Sequence, residues 1–322
     1  MKGIRWLLAA LLCASAGAMA QGAAQFPNKP IRMIVPFAPG GATDYMARTI
    51  AQKMSESLGQ PVVVENRPGA NAIVGTDVVA KSAPDGYTLV LCAFGHATNP
   101  YLLTKLPYDT LKDLAPVTLL VTGPLMLAVH PAIPAGSVRE LVSYMKANPG
   151  KLNYASGGAG SSQHFAGELF QSMTGTRMVH IPYKGTAPAY TDLLSGQVSM
   201  IFDNMVTALP QVKAGKMKAL GVSSAQRAEQ APDVPTIAEA GVSGYETGIW
   251  HGFLTTGGTP KDIVAKLNHE IVRAVHSPDV KTAFISRGLV PVGNTPEQFD
   301  AFIRNEMTKW SKVIKDAGIK AD

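Results

Sequence analysis

Hydrophobic and polar positions along this chain keep changing period, from short β-rich runs to longer amphipathic ones. Ile31 to Phe37 reads as a first strand, and the loop Ala38-Pro39-Gly40-Gly41-Ala42-Thr43-Asp44 follows it. Beyond the loop, Ala47, Ile50, Ala51, Met54 and Leu58 recur at spacings of three and four, one apolar face of a helix that Gly59 ends. Val62 to Glu65 predicts a second strand, then the turn Asn66-Arg67-Pro68-Gly69 and a helix over Ile73 to Lys81. Pro84-Asp85-Gly86 turns the chain into a strand over Tyr87 to Ala93, and Thr118 to His130 is another apolar run with strand character.

After Pro131 the same grammar restarts. It predicts a helix over Val138 to Ala147, a strand over Leu152 to Ala155, and a Gly/Ser loop from Ser156 to Ser162 that opens a helix through Met173. Val179 to Tyr183, Val198 to Phe202 and Met217 to Val222 read as strands, Pro188 to Ser195 as a helix, and Lys261 to Val275 and Pro296 to Ala317 as long helices. Repeated strand, loop and helix imply an α/β protein whose sheets are mostly parallel and flanked by helices. Roughly 300 residues exceed one typical core, so two lobes are expected. The first is drawn from residues 21–127 with 251–322 and the second from 128–250, with crossings near Leu125 to Val129 and Tyr245 to Leu254.

The first 20 residues stand apart. Lys2 and Arg5 precede the apolar run Trp6 to Leu12, and small residues lead to Ala18-Met19-Ala20, the pattern of a secretory signal peptide cut after Ala20. The run falls short of the roughly 20 apolar residues that span a bilayer, and Leu12 before Cys13 argues against lipidation. Cleavage would lower the formal charge from +6 to +4 by removing Lys2 and Arg5. Scattered basic residues of that number suit small anions and give no footprint for nucleic acid. Cleavage also leaves Cys92 alone in an apolar strand, where it reads as a small buried hydrophobe.

Candidate chemistry gathers where strands run into helices. In Pro39 to Asp44, glycines allow a ligand close to the backbone and the first helical N–H groups are unpaired donors, which is anion-binding geometry. Thr43 adds a hydroxyl; the alternative is that Thr43 or Asp44 caps the helix, and Asp44 would itself repel a carboxylate. The loop Ser156-Gly157-Gly158-Ala159-Gly160-Ser161-Ser162-Gln163-His164 offers three glycines and adjacent hydroxyls without formal charge, and lacks both nucleotide-loop patterns. His164 reads by default as a hydrogen-bonded structural residue. Tyr183-Lys184-Gly185 offers a cation or a solvated surface lysine. Asp203-Asn204 ends a strand, where open α/β sheets place ligands. No nucleophile elbow, H-E-x-x-H, C-x-x-C or metal-ligand spacing of histidines occurs, so neither an enzyme, a cofactor nor a metal is expected.

At these residues the chain resembles the Bug-type receptors of tripartite tricarboxylate transport systems, from about Phe26 to the C-terminus. The likeness is carried by Phe37-Ala38-Pro39-Gly40-Gly41-Ala42-Thr43-Asp44 with Ala47-Arg48, by Glu65-Asn66-Arg67-Pro68-Gly69-Ala70, and by Pro84-Asp85-Gly86-Tyr87-Thr88-Leu89. It continues through Gly160-Ser161-Ser162-Gln163-His164 with Gly167-Glu168-Leu169-Phe170, Pro182-Tyr183-Lys184-Gly185 with Pro188-Ala189, and Asp192-Leu193-Leu194. Pro232-Asp233-Val234-Pro235-Thr236 and Glu239-Ala240-Gly241 complete it. Asn71-Ala72 stands where the family often has two glycines, and Ser195 where a glycine is usual.

The resemblance implies a two-lobed Venus-flytrap fold of the periplasmic binding protein type. It also implies that the loops Pro39 to Asp44 and Gly157 to His164 grip a carboxylate, partly through ordered water. The expected ligand set is Phe37, Gly40, Gly41, Ala42, Thr43, Asp44, Gly158, Gly160, Ser161, Ser162, His164, Tyr183, Lys184, Gly185, Asp203 and Asn204. The expected role is periplasmic capture of a small carboxylate by a monomer that delivers it to a cognate inner-membrane permease. The alternatives are a periplasmic ligand sensor for a signalling receptor and a periplasmic enzyme acting on a carboxylate.

Overall fold

A computed structural model describes residues 26–317, and their strands divide between two sheets. The expected signal peptide lies outside the described residues. The first sheet holds β1 (Ile31–Val35), β2 (Val62–Asn66), β3 (Thr88–Ala93), β4 (Leu114–Gly123), β10 (Ile249–Thr256) and β11 (Val290–Pro291), in the order β11-β4-β10-β3-β1-β2. The second runs β7 (Val179–Pro182), β6 (Asn153–Ser156), β8 (Met200–Asn204), β5 (Leu125–Val129), β9 (Lys218–Val222). Ten helices are described: α1 (Ala42–Leu58), α2 (Ile73–Ala80), α3 (Gly95–Leu102), α4 (Val138–Ala147), α5 (Ser162–Thr174), α6 (Thr186–Leu194), α7 (Met205–Lys213), α8 (Lys261–Val275), α9 (Pro278–Ile285) and α10 (Pro296–Ala317).

The apolar face read for α1 is buried in full at Ala47, Ile50, Ala51 and Met54, and Gly59 closes the helix in the left-handed region at φ 64°, its N–H donating to the Ser55 carbonyl. The strands β3 and β5 are largely apolar on both faces and buried, and β1 is so apart from Arg32, the mark of strands covered by helices on each side. Cys92 sits inside β3 at 1% exposure, and burial pushes its thiol pKa up.

Both sheets are mixed rather than mostly parallel. β1 pairs in parallel with β2 and β3, and β6 with β7 and β8, but β10 and β5 run antiparallel to their neighbours. The reason lies in the crossings. β5 and β10 each arrive from the other lobe, enter their sheet at the cleft and run away from it, whereas β1, β3, β4, β6 and β8 end there.

The lobe limits also shift from those read in the sequence. A boundary between 127 and 128 would cut β5, all five residues of which pair with β8; the break falls at Gly123-Pro124, where proline cannot extend a ladder. On the return, Ile249 already pairs with Gly123, so the first sheet resumes before residue 251. The crossings lie side by side: a Cβ on Gly248 would stand 2.8 Å from the Gly123 carbonyl oxygen. Buried Ser223 ties them, its hydroxyl accepting from the Leu125 N–H (2.8 Å) and donating to the Thr247 carbonyl (2.6 Å).

Candidate functional site

Because the parallel strands end at the cleft, the helices after them begin there. The N-termini of α1, α3, α5, α6 and α7 converge on one cavity, lined by Gly41, Ala42 and Thr43, by Phe94 and Gly95, by Ser161, Ser162 and Gln163, by Gly185 and Thr186, and by Asn204. Of these helices only α5 has a side-chain cap: the Ser161 hydroxyl accepts from the His164 N–H at 3.3 Å. First-turn N–H groups have no partner within their helix, and each N-terminus carries about half a positive charge. No formally charged side chain lines this cavity among the described residues. The arrangement is a positive field made from backbone alone.

The cavity has a volume of ≈ 40 Å³, room for a carboxylate-sized group. Beside it lies a second chamber of ≈ 340 Å³, also between the lobes, whose walls include Pro36, Ile73, Leu102, Leu103 and Pro182 with Lys184. Phe37, Asn71 and Gly157 line both spaces.

Behind the first loop, Asp44 works as a brace. Its Oδ2 accepts from the Gly40 N–H (3.1 Å) and Arg48 Nε (3.0 Å), and its Oδ1 from Asn66 Nδ2 (2.9 Å). Burial alone would raise this carboxyl, but the bonds from Arg48, Gly40 and Asn66 outweigh it and hold the pKa below the ordinary value. Behind the second loop, His164 Nδ1 accepts from the Gly160 N–H at 3.0 Å, and the ring stacks on His180 at 4.1 Å. The backbone hydrogen bond makes Nδ1 the acceptor and shapes the loop.

Asp203 is fully buried, and burial raises its pKa against bonds from Thr207 and Gln163. His251, on β10, approaches the Thr43 hydroxyl with Nε2 at 3.1 Å; burial lowers its pKa to about 3, so the ring is neutral.

Of the residues singled out in the sequence, Phe37, Gly41, Ala42, Thr43, Ser161, Ser162, Gly185 and Asn204 line the cavity, and Gly158, Tyr183 and Lys184 line the second chamber. Gly40, Asp44, Gly160, His164 and Asp203 line neither, and the last four hold loop or strand geometry from behind. The expected ligand set left out Gln163, although the Gly157 to His164 loop contains it, and Asn71, noted only as a departure from the family; Phe94, Gly95, Thr186, Trp250 and His251 were not singled out at all. A positional signal existed for Thr186, the residue after Tyr183-Lys184-Gly185 at the end of a strand.

The sequence model for the tripartite tricarboxylate transporter family receptor matches residues 46–319. Protein BugT of Bordetella pertussis is 41% identical over 313 residues, covering 96% of each chain. Among solved structures, the periplasmic binding protein BugD superposes with a TM-score of 0.88 at 36% identity, over 92% of this chain and 99% of that one. R. palustris Rpa4515, solved with adipate, gives 0.89 at 37% identity over the same shares.

Proposed function

Since the chain belongs to the tripartite tricarboxylate transporter receptor family, we propose that it captures a small carboxylate between its lobes and hands it to a cognate inner-membrane permease. Its fold is the two-lobed α/β fold of periplasmic binding proteins. What carries the reading is the convergence of five helix N-termini on a cavity with no charged lining residue. Such a site favours an anion through unpaired N–H donors and aligned dipoles, each contributing about 0.3–1 kcal/mol and up to about 2 when partly buried. The carboxylate head sits among Gly41, Ala42, Thr43, Ser161, Ser162 and Thr186, and the remainder of the molecule extends past Phe37 into the larger chamber. That the related Rpa4515 was solved with adipate supports a ligand of this chemistry.

Closure follows from bonds that join the lobes directly: the Ala38 N–H donates to the Lys184 carbonyl (3.2 Å) and the Thr98 hydroxyl to the Gly160 carbonyl (2.9 Å). A ligand drives closure only by binding the closed form better than the open one. The signal peptide, cut after Ala20, sends the receptor to the periplasm as a monomer.

The protein does no chemistry on its ligand in this reading. The one hydrolase-like element in the cavity is the Thr43 hydroxyl beside His251, and a ring whose pKa is about 3 is a poor base near neutrality. Nδ1 of that ring has no side-chain or backbone partner among the described residues, so no acid orients it. The pair positions Thr43.

The test is a melting screen of the purified protein against organic acids and their amides. A bound acid at 100 times its dissociation constant adds about 2.7 kcal/mol. Equal shifts with an acid and its neutral amide would defeat the carboxylate reading.

A further inference from the structure

Two amide oxygens in the cleft have no hydrogen-bond partner among the described residues, and they belong to opposite lobes. One is Oδ1 of Asn204, a residue 4% exposed; the other is Oδ1 of Asn71. Both atoms are buried, and both residues line the cavity that the helix N-termini surround.

Their orientations follow from the hydrogen bonds their amide nitrogens make. Asn204 Nδ2 donates to the Asp203 carboxylate at 3.2 Å, which leaves its Oδ1 over. For Asn71 the chain of reasoning is one bond longer. Asn99 Nδ2 donates to the Asn71 carbonyl (3.0 Å), so Asn99 presents Oδ1 to Asn71, whose Nδ2 donates to it (2.8 Å). Rotating the Asn71 amide by half a turn would set two oxygens against each other. Its Oδ1 is therefore the free end.

The backbone places this residue at a cost. Ala70, Asn71 and Ala72 all have positive φ, at 45°, 45° and 72°, a left-handed run that side chains other than asparagine and aspartate avoid. Strain of this kind persists where the surroundings over-determine it and clusters at ligand clamps. Here the strained turn sets Asn71 on the border of the two spaces, in the path of any molecule that occupies both.

We infer that the receptor selects carboxylates bearing a hydrogen-bond donor close to the carboxylate, a hydroxyl or an ammonium, and that Asn71 with Asn204 reads that donor. The inference rests on the carboxylate reading of the cavity and deepens it. The helix N-termini supply donors for the anion; the two amide oxygens supply acceptors for the group beside it. A plain acid entering the closed cleft leaves both oxygens buried and unsatisfied, a penalty that a hydroxyl or ammonium relieves.

The experiment is titration calorimetry with matched acids: butanedioate and hexanedioate, each beside its 2-hydroxy and 2-amino forms, against wild type and Asn71→Gly. Glycine adopts positive φ freely, so the variant keeps the turn, and melting curves without ligand report the cost of losing the bond to Asn99 separately from binding. In wild type, at least one donor-bearing form binds tenfold or more tighter than its parent; in Asn71→Gly that ratio falls below about threefold. The hydroxy and amino arms distinguish the two donors. If the parent acids bind wild type as tightly as their substituted forms, or the preference survives in Asn71→Gly, the inference is overturned and the carboxylate reading stands. If no acid of any kind binds, the carboxylate reading falls and this inference with it.

Discussion

The ring of Phe165, on α5 in the second lobe, lies 5.1 Å from the ring of Trp310 on α10 in the first, and 5.4 Å from Phe94 at the start of α3. Phe165 is 1% exposed and packs in the apolar cluster of the lobe opposite its own. Truncation of a buried phenylalanine costs about 3–5 kcal/mol in a permanent core. Here the cost falls on lobe closure, because opening would expose the ring while leaving its own lobe folded. Phe165→Ala is expected to raise the radius of gyration of the unliganded protein in solution scattering and to weaken ligand binding about tenfold or more. Unchanged scattering and affinity would mean that the contact does not bear on closure.

Ser162→Asp should largely abolish binding. The change sets a fixed negative charge at the start of α5 against the carboxylate; at about 4 Å and an effective dielectric of about 20 the repulsion is on the order of 4 kcal/mol, nearly a thousandfold in affinity. Overall stability should hardly fall, since an aspartate suits a helix N-terminus. Ser143→Asp, on the exposed face of α4, is the control. Calorimetry and melting curves give both quantities, and near-normal binding by Ser162→Asp would move the site elsewhere.

Asp44→Ala should weaken binding without touching the ligand. It frees the Gly40 N–H, Arg48 and Asn66 together, so the loop before α1 loses its brace. The expected loss is about 1–3 kcal/mol of stability with a several-fold drop in affinity. Asp44→Asn, which keeps one acceptor, should recover part of each. Stability and affinity both equal to wild type would show that the glycines hold the loop unaided.

Acid should destabilise the fold well above the carboxylate range. Burial lowers the pKa of His96 to about 4 and of His251 to about 3, against 6.5 for an unperturbed ring. Below 6.5 the unfolded chain takes up protons that the folded one refuses, so stability is full above about pH 7 and lost as pH falls. The loss is about 2 kcal/mol per ring by pH 5. Asp203, with its pKa raised, opposes the trend above pH 4. Urea unfolding at pH 7.5 and pH 5 should show the drop, and His96→Gln should remove about half of it. Equal stability at the two pH values would contradict neutral burial of both rings.

Much of the strand–loop–helix order could be read from apolar periodicity, as in α1, α4 and α8, where buried positions recur every three or four residues. The helices α3 and α7 escaped because Pro100 and Pro210 sit inside them and read as breakers. β4 and β5 ran together because both are apolar and only Gly123-Pro124 parts them. The Gly/Ser loops were legible as helix starts, but not the facing of their side chains: Asp44, His164 and Asp203 carry the expected chemistry and turn it toward the protein. Trp250 and His251 could not be found from sequence, since β10 reaches the cleft only by slotting between β3 and β4, more than 100 residues after either.

A binding cavity whose positive field comes only from peptide dipoles has a consequence for the medium around it. Mobile ions weaken attraction between solvent-exposed charges over a Debye length of about 8–10 Å at ordinary salt, but not between a ligand and donors touching it in a space too small to admit them. With no lysine or arginine lining the innermost cavity among the described residues, retention of an anion there is expected to depend little on ionic strength. Exposed Lys184 stands at the outer chamber and is the part that salt can reach, acting on how fast an anion arrives rather than on how firmly it is held.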